Sequence, residues 1–189
     1  MHRDPLLKLL ENYSRNHPEE TQIISRYREF VENNPDCFKR SLKTGHVTAS
    51  AWLINPDGTE VLLTHHRKLN LWIQLGGHVD GNPDLTVEAI REAQEESGIE
   101  TLVLVSEQLF DIDIHPIPAQ GAEPAHFHYD ARFLIRAGSR RFRVSRESRS
   151  LAWVPMNRLE GYNRESSVLR MICKQEKFFA NNDVDSRRD

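Results

Sequence analysis

A carboxylate-rich segment that follows a pair of glycines constrains this chain more than any other part of its sequence. Residues 77–99 read GHVDGNPDLTVEAIREAQEESGI. At about 100° of rotation per residue, four side chains fall on roughly one third of a helix circumference: Glu88, Glu92, Glu95 and Glu96. Like charges at helical spacing repel one another. A cation bound on this face would convert the repulsion into coordination, and hard oxygen ligands suit Mg²⁺ or Mn²⁺.

The same segment carries signals for the start and the end of a helix. Asn82 can cap a helix, Pro83 suits the first helical position, and Asp84 favours the positive end of the helix dipole. Gly98 can end the helix. An apolar arc runs beside the acidic face and consists of Ala89, Ile90 and Ala93. The segment is therefore expected to lie at the edge of a core, although a glutamate-rich helix by itself is also compatible with a merely solvated surface.

The order of residues in this segment resembles the Nudix box, the motif of hydrolases that cleave a nucleoside diphosphate linked to another moiety. The box contains a glycine, then a glutamate, then the run Arg-Glu-apolar-x-Glu-Glu-x-Gly-apolar. The positions that match are Gly77, Arg91, Glu92, Ala93, Glu95, Glu96, Gly98 and Ile99. Pro83 replaces the first glutamate of the box. In the family this glutamate supports the loop and pairs with the arginine, so Asp84 is expected to take its place.

The resemblance implies an α/β fold, a Nudix-type α/β/α sandwich with a mixed sheet, here with an N-terminal helical extension. It implies a Mg²⁺ or Mn²⁺ ion held by Glu92, Glu95, Glu96 and the backbone carbonyl of Gly76. It also implies that Glu95 either shares a metal or accepts the proton of the attacking water. Arg91 is expected to position these carboxylates.

The activity implied is metal-dependent hydrolysis of the pyrophosphate bond in a nucleoside diphosphate derivative. A nucleoside diphosphate sugar or ADP-ribose is the favoured substrate, because the N-terminal helices and the long loop at 116–124 suit the enclosure of a second moiety. A nucleoside triphosphate or an RNA 5′ end is the enzymatic alternative. A non-hydrolytic nucleotide-binding regulator is an alternative of another class, and the intact box glutamates argue against it, since regulators of this family often lose them.

Polar residues outside the box alternate along two predicted strands and therefore share one face of each strand. These sets are His126, His128 and Asp130 on one strand, and Asp111, Asp113 and His115 on the other. A loop rich in Pro, Gly and Ala lies between the two strands. The pattern predicts that His126, His128 and Asp130 bind substrate; a solvated sheet face and a transition-metal site are the alternatives.

Further candidates flank the box. Arg67 and Trp72 precede it and could contact the nucleotide, although Trp72 also suits a core position. Six arginines lie between Arg136 and Arg149, and arginine can bind a diphosphate through two parallel hydrogen bonds. Among them stands Glu147, a candidate metal ligand or base, because many members of the family carry such a residue in this region.

The chain divides into three predicted parts: a helical extension at 1–43, the Nudix domain at 44–180 and a frayed tail at 181–189. Helices are predicted at 4–16, 18–33 and 163–178. Strands are predicted at 46–55, 60–66, 71–75, 101–114, 125–136 and 149–155. The first two helices are expected to pack on the domain or on a partner subunit, with a lid over the substrate as the alternative.

The composition limits the cellular compartment and the binding partners that we expect for this chain. A formal charge of −3 over 189 residues argues against a general nucleic-acid scaffold. Two cysteines indicate a reducing compartment and no disulfide framework. No apolar run approaches the roughly 20 residues that span a bilayer. The expectation is a cytoplasmic protein that acts on a small-molecule nucleotide, without nucleic acid or membrane as partner, and with a homodimer as one form open to it.

Overall fold

A mixed eight-stranded sheet with helices on both faces forms the centre of the protein. The computed structural model describes residues 2–121, 123–146 and 148–185, with side chains described as far as residue 181. The strands within these residues are Gly45–Ile54 (β1), Glu60–His66 (β2), Trp72–Ile73 (β3), Leu75–His78 (β4), Leu102–Leu104 (β5), Asp111–Ile117 (β6), His126–Ala137 (β7) and Ser148–Pro155 (β8). The α-helices are Asp4–Asn16 (α1), Thr21–Asn33 (α2), Leu85–Ser97 (α3) and Ser166–Asp185 (α4), with 3-10 turns at Pro18–Glu20 and Met156–Gly161.

Strands β1 and β7 run parallel and side by side through the middle of the sheet. The middle of β1, residues 48–51, pairs with β4 and its last residue pairs with β2, both antiparallel. On the other side, β7 pairs antiparallel with both β5 and β6. Every residue of β1 is buried, as expected for a strand covered on both faces. The remaining strands, β3 and β8, extend the sheet beyond β2.

The two faces of the sheet differ in chemistry. The face called here the box face carries Val47, Ala49, Ala51 and Leu53 of β1, which share one core with α1, α2 and α3. The opposite face, called the α4 face, carries His46, Thr48, Ser50, Trp52 and Ile54 of β1. Trp52 and Ile54 pack with residues of α4 in a second core, and the indole of Trp52 donates to Gln175 at 2.7 Å. The first half of β1 therefore presents a polar surface on the α4 face.

The N-terminal helices are part of the core on the box face. Leu6, Leu10 and Tyr27 are fully or almost fully buried. The hydroxyl of Tyr27 donates to the carbonyl of Tyr129 at 2.7 Å, and the ring of Phe30 stacks on that of Tyr129 with centroids 3.7 Å apart. This packing agrees with the prediction that the helices pack on the domain. At the sheet edge Tyr13 of α1 also reaches the α4 face, where its hydroxyl donates to Asp111 at 3.5 Å.

The predicted fold class is confirmed, while several element boundaries differ from the prediction. The single strand expected at 101–114 is divided into β5 and β6, because residues 105–110 leave the regular pairing with β7. The strand expected at 71–75 is divided between β3 and β4, which pair with different neighbours. The last helix begins at Ser166, after Asn163 accepts a hydrogen bond from the amide of Glu165. It continues to Asp185, past the predicted start of a frayed tail, and residues 186–189 lie outside the described residues. Within the described chain, no helix combines the length and the apolar character needed to cross a bilayer.

A buried ionic network joins α4 to the sheet on the α4 face. The side chain of Arg132 on β7 is 3% exposed and forms ion pairs with Asp111 at 3.0 Å, Asp113 at 3.2 Å and Asp130 at 2.8 Å. Arg170 of α4 also bonds to Asp111, at 2.9 Å. Burial raises the pKa of Asp111, but the attraction of its cationic neighbours outweighs burial and lowers that pKa. The carboxylate of Asp111 is therefore charged and depends on its cationic partners.

Replacing Arg132 by methionine should strongly destabilise the protein. The substitution keeps most of the side-chain volume and removes the cation shared by three buried carboxylates, so we expect the free energy of unfolding to fall by about 3–5 kcal/mol. Arg140→Met is the matched control, because the side chain of Arg140 is 48% exposed and pairs with Glu60 at the surface, which is worth about 0–1 kcal/mol. Urea denaturation monitored by circular dichroism measures both, and equal losses would contradict the importance of the buried network.

Candidate functional site

The site begins with two glycines of the edge strand β4. A Cβ atom added at Gly77 would lie 2.6 Å from the carboxyl carbon of Glu92. At Gly76, whose φ is 153°, it would lie 2.3 Å from the hydroxyl oxygen of Ser50. At Gly76 the added atom would also lie 2.6 Å from the Cα of Ser50, so the backbone of β1 leaves no room for a side chain there. At Gly77 the absence of a Cβ atom lets the carboxylate of Glu92 approach the strand directly.

Two box glutamates meet this glycine pair. The Oε1 atom of Glu96 accepts a hydrogen bond from the amide of Gly76 at 3.1 Å, and the carboxylate of Glu92 lies against Gly77. Both side chains are mostly buried. The donor set, carboxylates beside a strand backbone with its own carbonyls, consists of hard oxygen atoms and fits Mg²⁺ or Mn²⁺. The glycine cradle and this donor set together meet the requirement for the predicted ion.

Arg91 connects the carboxylates of α3 to one another. Its guanidinium donates to Glu88 at 2.7 Å, to Glu95 at 2.9 Å and to Glu92 at 2.6 Å, and it also reaches the carbonyl of His78 at 3.3 Å. Desolvation lowers the pKa of Arg91, but these acidic partners outweigh it and raise the pKa well above its ordinary value. Arg91 is thus a permanently charged link between α3 and β4. The side chain of Glu95 remains 62% exposed and can meet solvent.

Glu88 takes the place of the missing box glutamate, whereas the sequence predicts Asp84 in this role. Asp84 is the N-cap of α3 and accepts from the amide of Val87 at 3.2 Å, so its carboxylate turns toward the helix end. Glu88, 10% exposed, pairs instead with Arg91 and accepts from the side chain of Asn82 at 2.7 Å. The physical reason is that α3 begins at Leu85, which gives Asp84 the capping position expected of Asn82. Glu88 then stands one turn before Arg91 and takes the supporting role.

Histidines from three strands converge on the polar part of the α4 face. In the sheet register His46 of β1 lies beside His128 of β7, and Thr48, two residues along β1, lies opposite His78 of β4. Among the described residues, two groups of three His, Cys, Asp or Glu side chains have donor atoms within 4.8 Å of one another: His46, His78 and His128, and His17, Glu19 and Glu20. The box glutamates do not form such a group in this structure.

These histidines are neutral imidazoles at pH 7. Burial, followed by the repulsion of His78, lowers the pKa of His46 to about 4. Burial and the repulsion of His46 lower the pKa of His128 to about 2. The pKa of His78 is lowered as well, first by burial and then by Arg40. Each ring therefore carries one nitrogen with a free electron pair.

The other substrate-binding candidates occupy different places. Asp130 lies on the α4 face but is 1% exposed, and its oxygens accept hydrogen bonds from Thr48, Ser50, Gln74 and Arg132. Its carboxylate holds β1, β7 and the residue before β4 together, below the surface that a ligand can reach. His126 is close to His128, with their Nε2 atoms 3.3 Å apart.

Trp72 and Arg67 are separated from the histidines. The ring of Trp72 stacks on that of His65, with centroids 5.1 Å apart, and meets the ring of Tyr162 edge-on at 5.2 Å. These rings form an aromatic surface on the α4 face. Arg67 donates to the carbonyls of Arg146 and Ser148 and so fastens the segment before β8. Glu147, the further ligand or base suggested by the sequence, lies outside the described residues.

Sequence reasoning missed His46 and His78 as members of one cluster. His46 stands two residues before Thr48 on a predicted strand, and His78 follows the two glycines directly, so both signals were present in the sequence. Neither signal identifies its partners, because only the pairing of β1 with β4 and β7 brings the two rings together.

Comparison with known proteins identifies the family. A model of the NUDIX domain matches residues 44–172. No curated protein sequence matches the chain. A C. elegans Ap4A hydrolase binary complex superposes with a TM-score of 0.58 at 20% identity, covering 71% of this chain and 98% of that one.

Two further solved structures share the fold. The E. coli dihydroneopterin triphosphate pyrophosphohydrolase has a TM-score of 0.56 at 18% identity and covers 71% of this chain and 95% of its own. The NUDIX domain of Shewanella oneidensis NrtR complexed with ADP ribose has a TM-score of 0.53 at 15% identity and covers 80% and 97%. At such low identities these similarities establish the fold alone, whereas the family model spans more than half of the chain and includes the whole box. The chain therefore belongs to the Nudix hydrolase family, the pyrophosphohydrolase family that its box resembles.

Proposed function

We propose that this Nudix protein is a metal-dependent hydrolase that cleaves the pyrophosphate bond of a nucleoside diphosphate linked to another moiety. The observation that carries the proposal is the contact between the Gly76–Gly77 pair and the carboxylates of Glu92 and Glu96. Carboxylates on a solvated helix surface would not require glycines in the strand beneath them. A cation held between the helix and the strand does require glycines there, because side chains would occupy the same space.

The ion is proposed to be Mg²⁺ or Mn²⁺, held by Glu92, Glu96 and the backbone carbonyl of Gly76, with Glu95 as a further ligand in the alternative in which it is not the base. When bound, it would neutralise the charge of the diphosphate oxygens and lower the pKa of the attacking water. The remaining work falls to the side chains of the box. Arg91 holds Glu92 and Glu95 in place through its two terminal nitrogens, and Glu88 fixes its Nε atom.

Glu95 is the proposed acceptor of the proton from the attacking water. Its carboxylate is the most exposed of the three proposed ligands and is held by a single hydrogen bond to Arg91 at 2.9 Å. A general base must be within reach of the attacking water, and the neighbouring guanidinium of Arg91 orients this carboxylate. Glu147 stays a proposal as a second candidate for this role.

The favoured substrate is a nucleoside diphosphate sugar or ADP-ribose. The aromatic surface of Trp72, His65 and Tyr162 suits stacking with a base. The polar histidine end of the same face, with His126 and His128, suits a hydrophilic distal moiety, which supports their predicted place in the substrate wall. Arg67 is proposed to stabilise the substrate-binding surface indirectly, through its hydrogen bonds to the segment that leads into β8.

Other substrates compete with this assignment. The solved relatives include an Ap4A hydrolase and a dihydroneopterin triphosphate pyrophosphohydrolase as well as a NUDIX domain complexed with ADP ribose. A nucleoside triphosphate or an RNA 5′ end therefore remains the enzymatic alternative. The non-hydrolytic regulator remains the alternative of another class, and it predicts nucleotide binding without turnover.

Glu96→Gln should remove most of the activity and keep the fold. Glutamine retains an oxygen that accepts from the amide of Gly76 but loses the charge, so we expect turnover to fall by about 100-fold or more, a loss typical of removing one electrostatic contribution to a transition state. The rise in melting temperature with Mg²⁺ or Mn²⁺ should also disappear. Glu100→Gln, at an exposed position just after α3, is the control. Near-normal hydrolysis by Glu96→Gln would overturn the ligand assignment.

Loss of the Glu88 carboxylate should mainly lower turnover, whereas loss of the Asp84 carboxylate should mainly lower stability. Glu88→Ala frees the Nε atom of Arg91, and we expect turnover to fall by roughly 10–100-fold, as when a second layer of contacts around a metal is lost. Asp84→Ala removes only the helix cap, with a cost of about 1 kcal/mol in stability and little change in turnover. Steady-state kinetics and urea denaturation on both variants measure the difference. A larger kinetic defect in Asp84→Ala would restore the original prediction that Asp84 replaces the box glutamate.

A further inference from the structure

The histidine cluster on the α4 face, defined by His46, His78, His126 and His128, has more nitrogen donors than the proposed hydrolysis uses. It draws on three strands, β1, β4 and β7, whose registers bring together residues distant in the sequence. Ring centroids of His46 lie 4.9 Å from His78, 4.9 Å from His126 and 4.8 Å from His128. One side chain, His46, is thus surrounded by the other three.

His46 is buried without a hydrogen-bond partner. The residue is 1% exposed, and neither of its ring nitrogens has a hydrogen-bond partner in the described part of the chain. Leaving a buried donor or acceptor unpaired costs about 1–3 kcal/mol. This cost would be removed if one ring nitrogen of His46 bound a metal ion and the other formed a hydrogen bond with a water molecule.

His126 is oriented toward the cluster by the backbone. Its Nδ1 atom lies 2.8 Å from the carbonyl of Pro124, and because a carbonyl can only accept, Nδ1 donates and Nε2 keeps its electron pair. This Nε2 atom is 3.3 Å from Nε2 of His128. At this distance the two rings share a hydrogen bond, which fixes the ring of His128 within the cluster.

We propose that this cluster binds one Zn²⁺ ion, with His46, His78 and His128 as ligands and a water molecule at the fourth position. Neutral imidazoles suit Zn²⁺ and neighbouring transition metals, whereas Mg²⁺ prefers oxygen. The site is distinct from the box carboxylates, because β4 turns His78 to the α4 face and Gly77 to the box face. The nearby Arg40 is paired with Glu123 at 3.6 Å, which offsets its charge.

The zinc site would fix the strand on which the catalytic carboxylates rest. His78 stands next to Gly77, and its carbonyl accepts from Arg91 at 3.3 Å. Binding His78 to His46 and His128 therefore joins the end of β4 to β1 and β7 directly beside the glycine pair. The inference does not depend on which substrate the protein hydrolyses.

Metal binding by the full-length chain tests the proposal. Protein treated with a chelator and dialysed should bind one Zn²⁺ per chain by calorimetry and elemental analysis, and Co²⁺ should give the visible absorption of a tetrahedral site. His46→Ala and His128→Ala should each weaken Zn²⁺ binding by at least the roughly 10–100-fold typical of losing an outer contact of a metal site. An excess of Mg²⁺ should not displace the ion.

Three control variants test whether the loss of Zn²⁺ binding is specific to the cluster. His65→Ala removes a histidine of the α4 face outside the cluster, His17→Ala disrupts the second donor group near Glu19 and Glu20, and Glu96→Gln disrupts the box. All three should keep one Zn²⁺ per chain. If an alanine variant fails to fold, as judged by circular dichroism, the more conservative His128→Gln is measured instead. The proposal is overturned by a wild-type protein without stoichiometric Zn²⁺, by unchanged binding in the cluster variants, or by its loss in any control.

Discussion

The contact between two adjacent glycines and the carboxylates of α3 is the constraint on which the rest of the structure depends. At Gly77 a Cβ atom would lie 2.6 Å from the carboxyl carbon of Glu92, and at Gly76 it would meet Ser50 of β1. Two glycines of the edge strand are therefore held between the helix and the centre of the sheet. Arg91 completes the arrangement, since it binds the helix carboxylates and a strand carbonyl at the same time. This contact places acidic oxygens where a cation and a diphosphate can meet.

The sheet separates two kinds of polar chemistry by its two faces. The box face is apolar except at the glycine edge, where oxygen donors collect, while the α4 face holds nitrogen donors at one end and a buried ionic network around Arg132 in the middle. The carboxylates of this network are fully engaged by cations from β7 and α4. They are therefore part of the framework, and among the described residues they leave His46 as the buried side chain of that face without a hydrogen-bond partner.

The sequence predicts interactions within one element better than interactions between elements. The glutamate face, Arg91 and the stop at Gly98 follow from spacing along a single helix, and all are present as predicted. Glu88 rather than Asp84 pairs with Arg91, because the helix begins at Leu85 and Asp84 takes the capping position that the sequence suggests for Asn82. Burial of Asp130 and the meeting of His46 with His78 depend on strand pairing, which alternation alone does not determine.

The most direct test of the central claim is product analysis with the purified wild-type protein. ADP-ribose, nucleoside diphosphate sugars, nucleoside triphosphates and Ap4A are incubated with Mg²⁺ or Mn²⁺, and the products are resolved by chromatography and ³¹P NMR. The account predicts cleavage between the two phosphorus atoms of ADP-ribose or a nucleotide sugar, giving a nucleoside monophosphate and a sugar phosphate, and no cleavage in the presence of a chelator. Binding of these nucleotides without turnover of any of them, or turnover that is unaffected by removal of divalent ions, would contradict it.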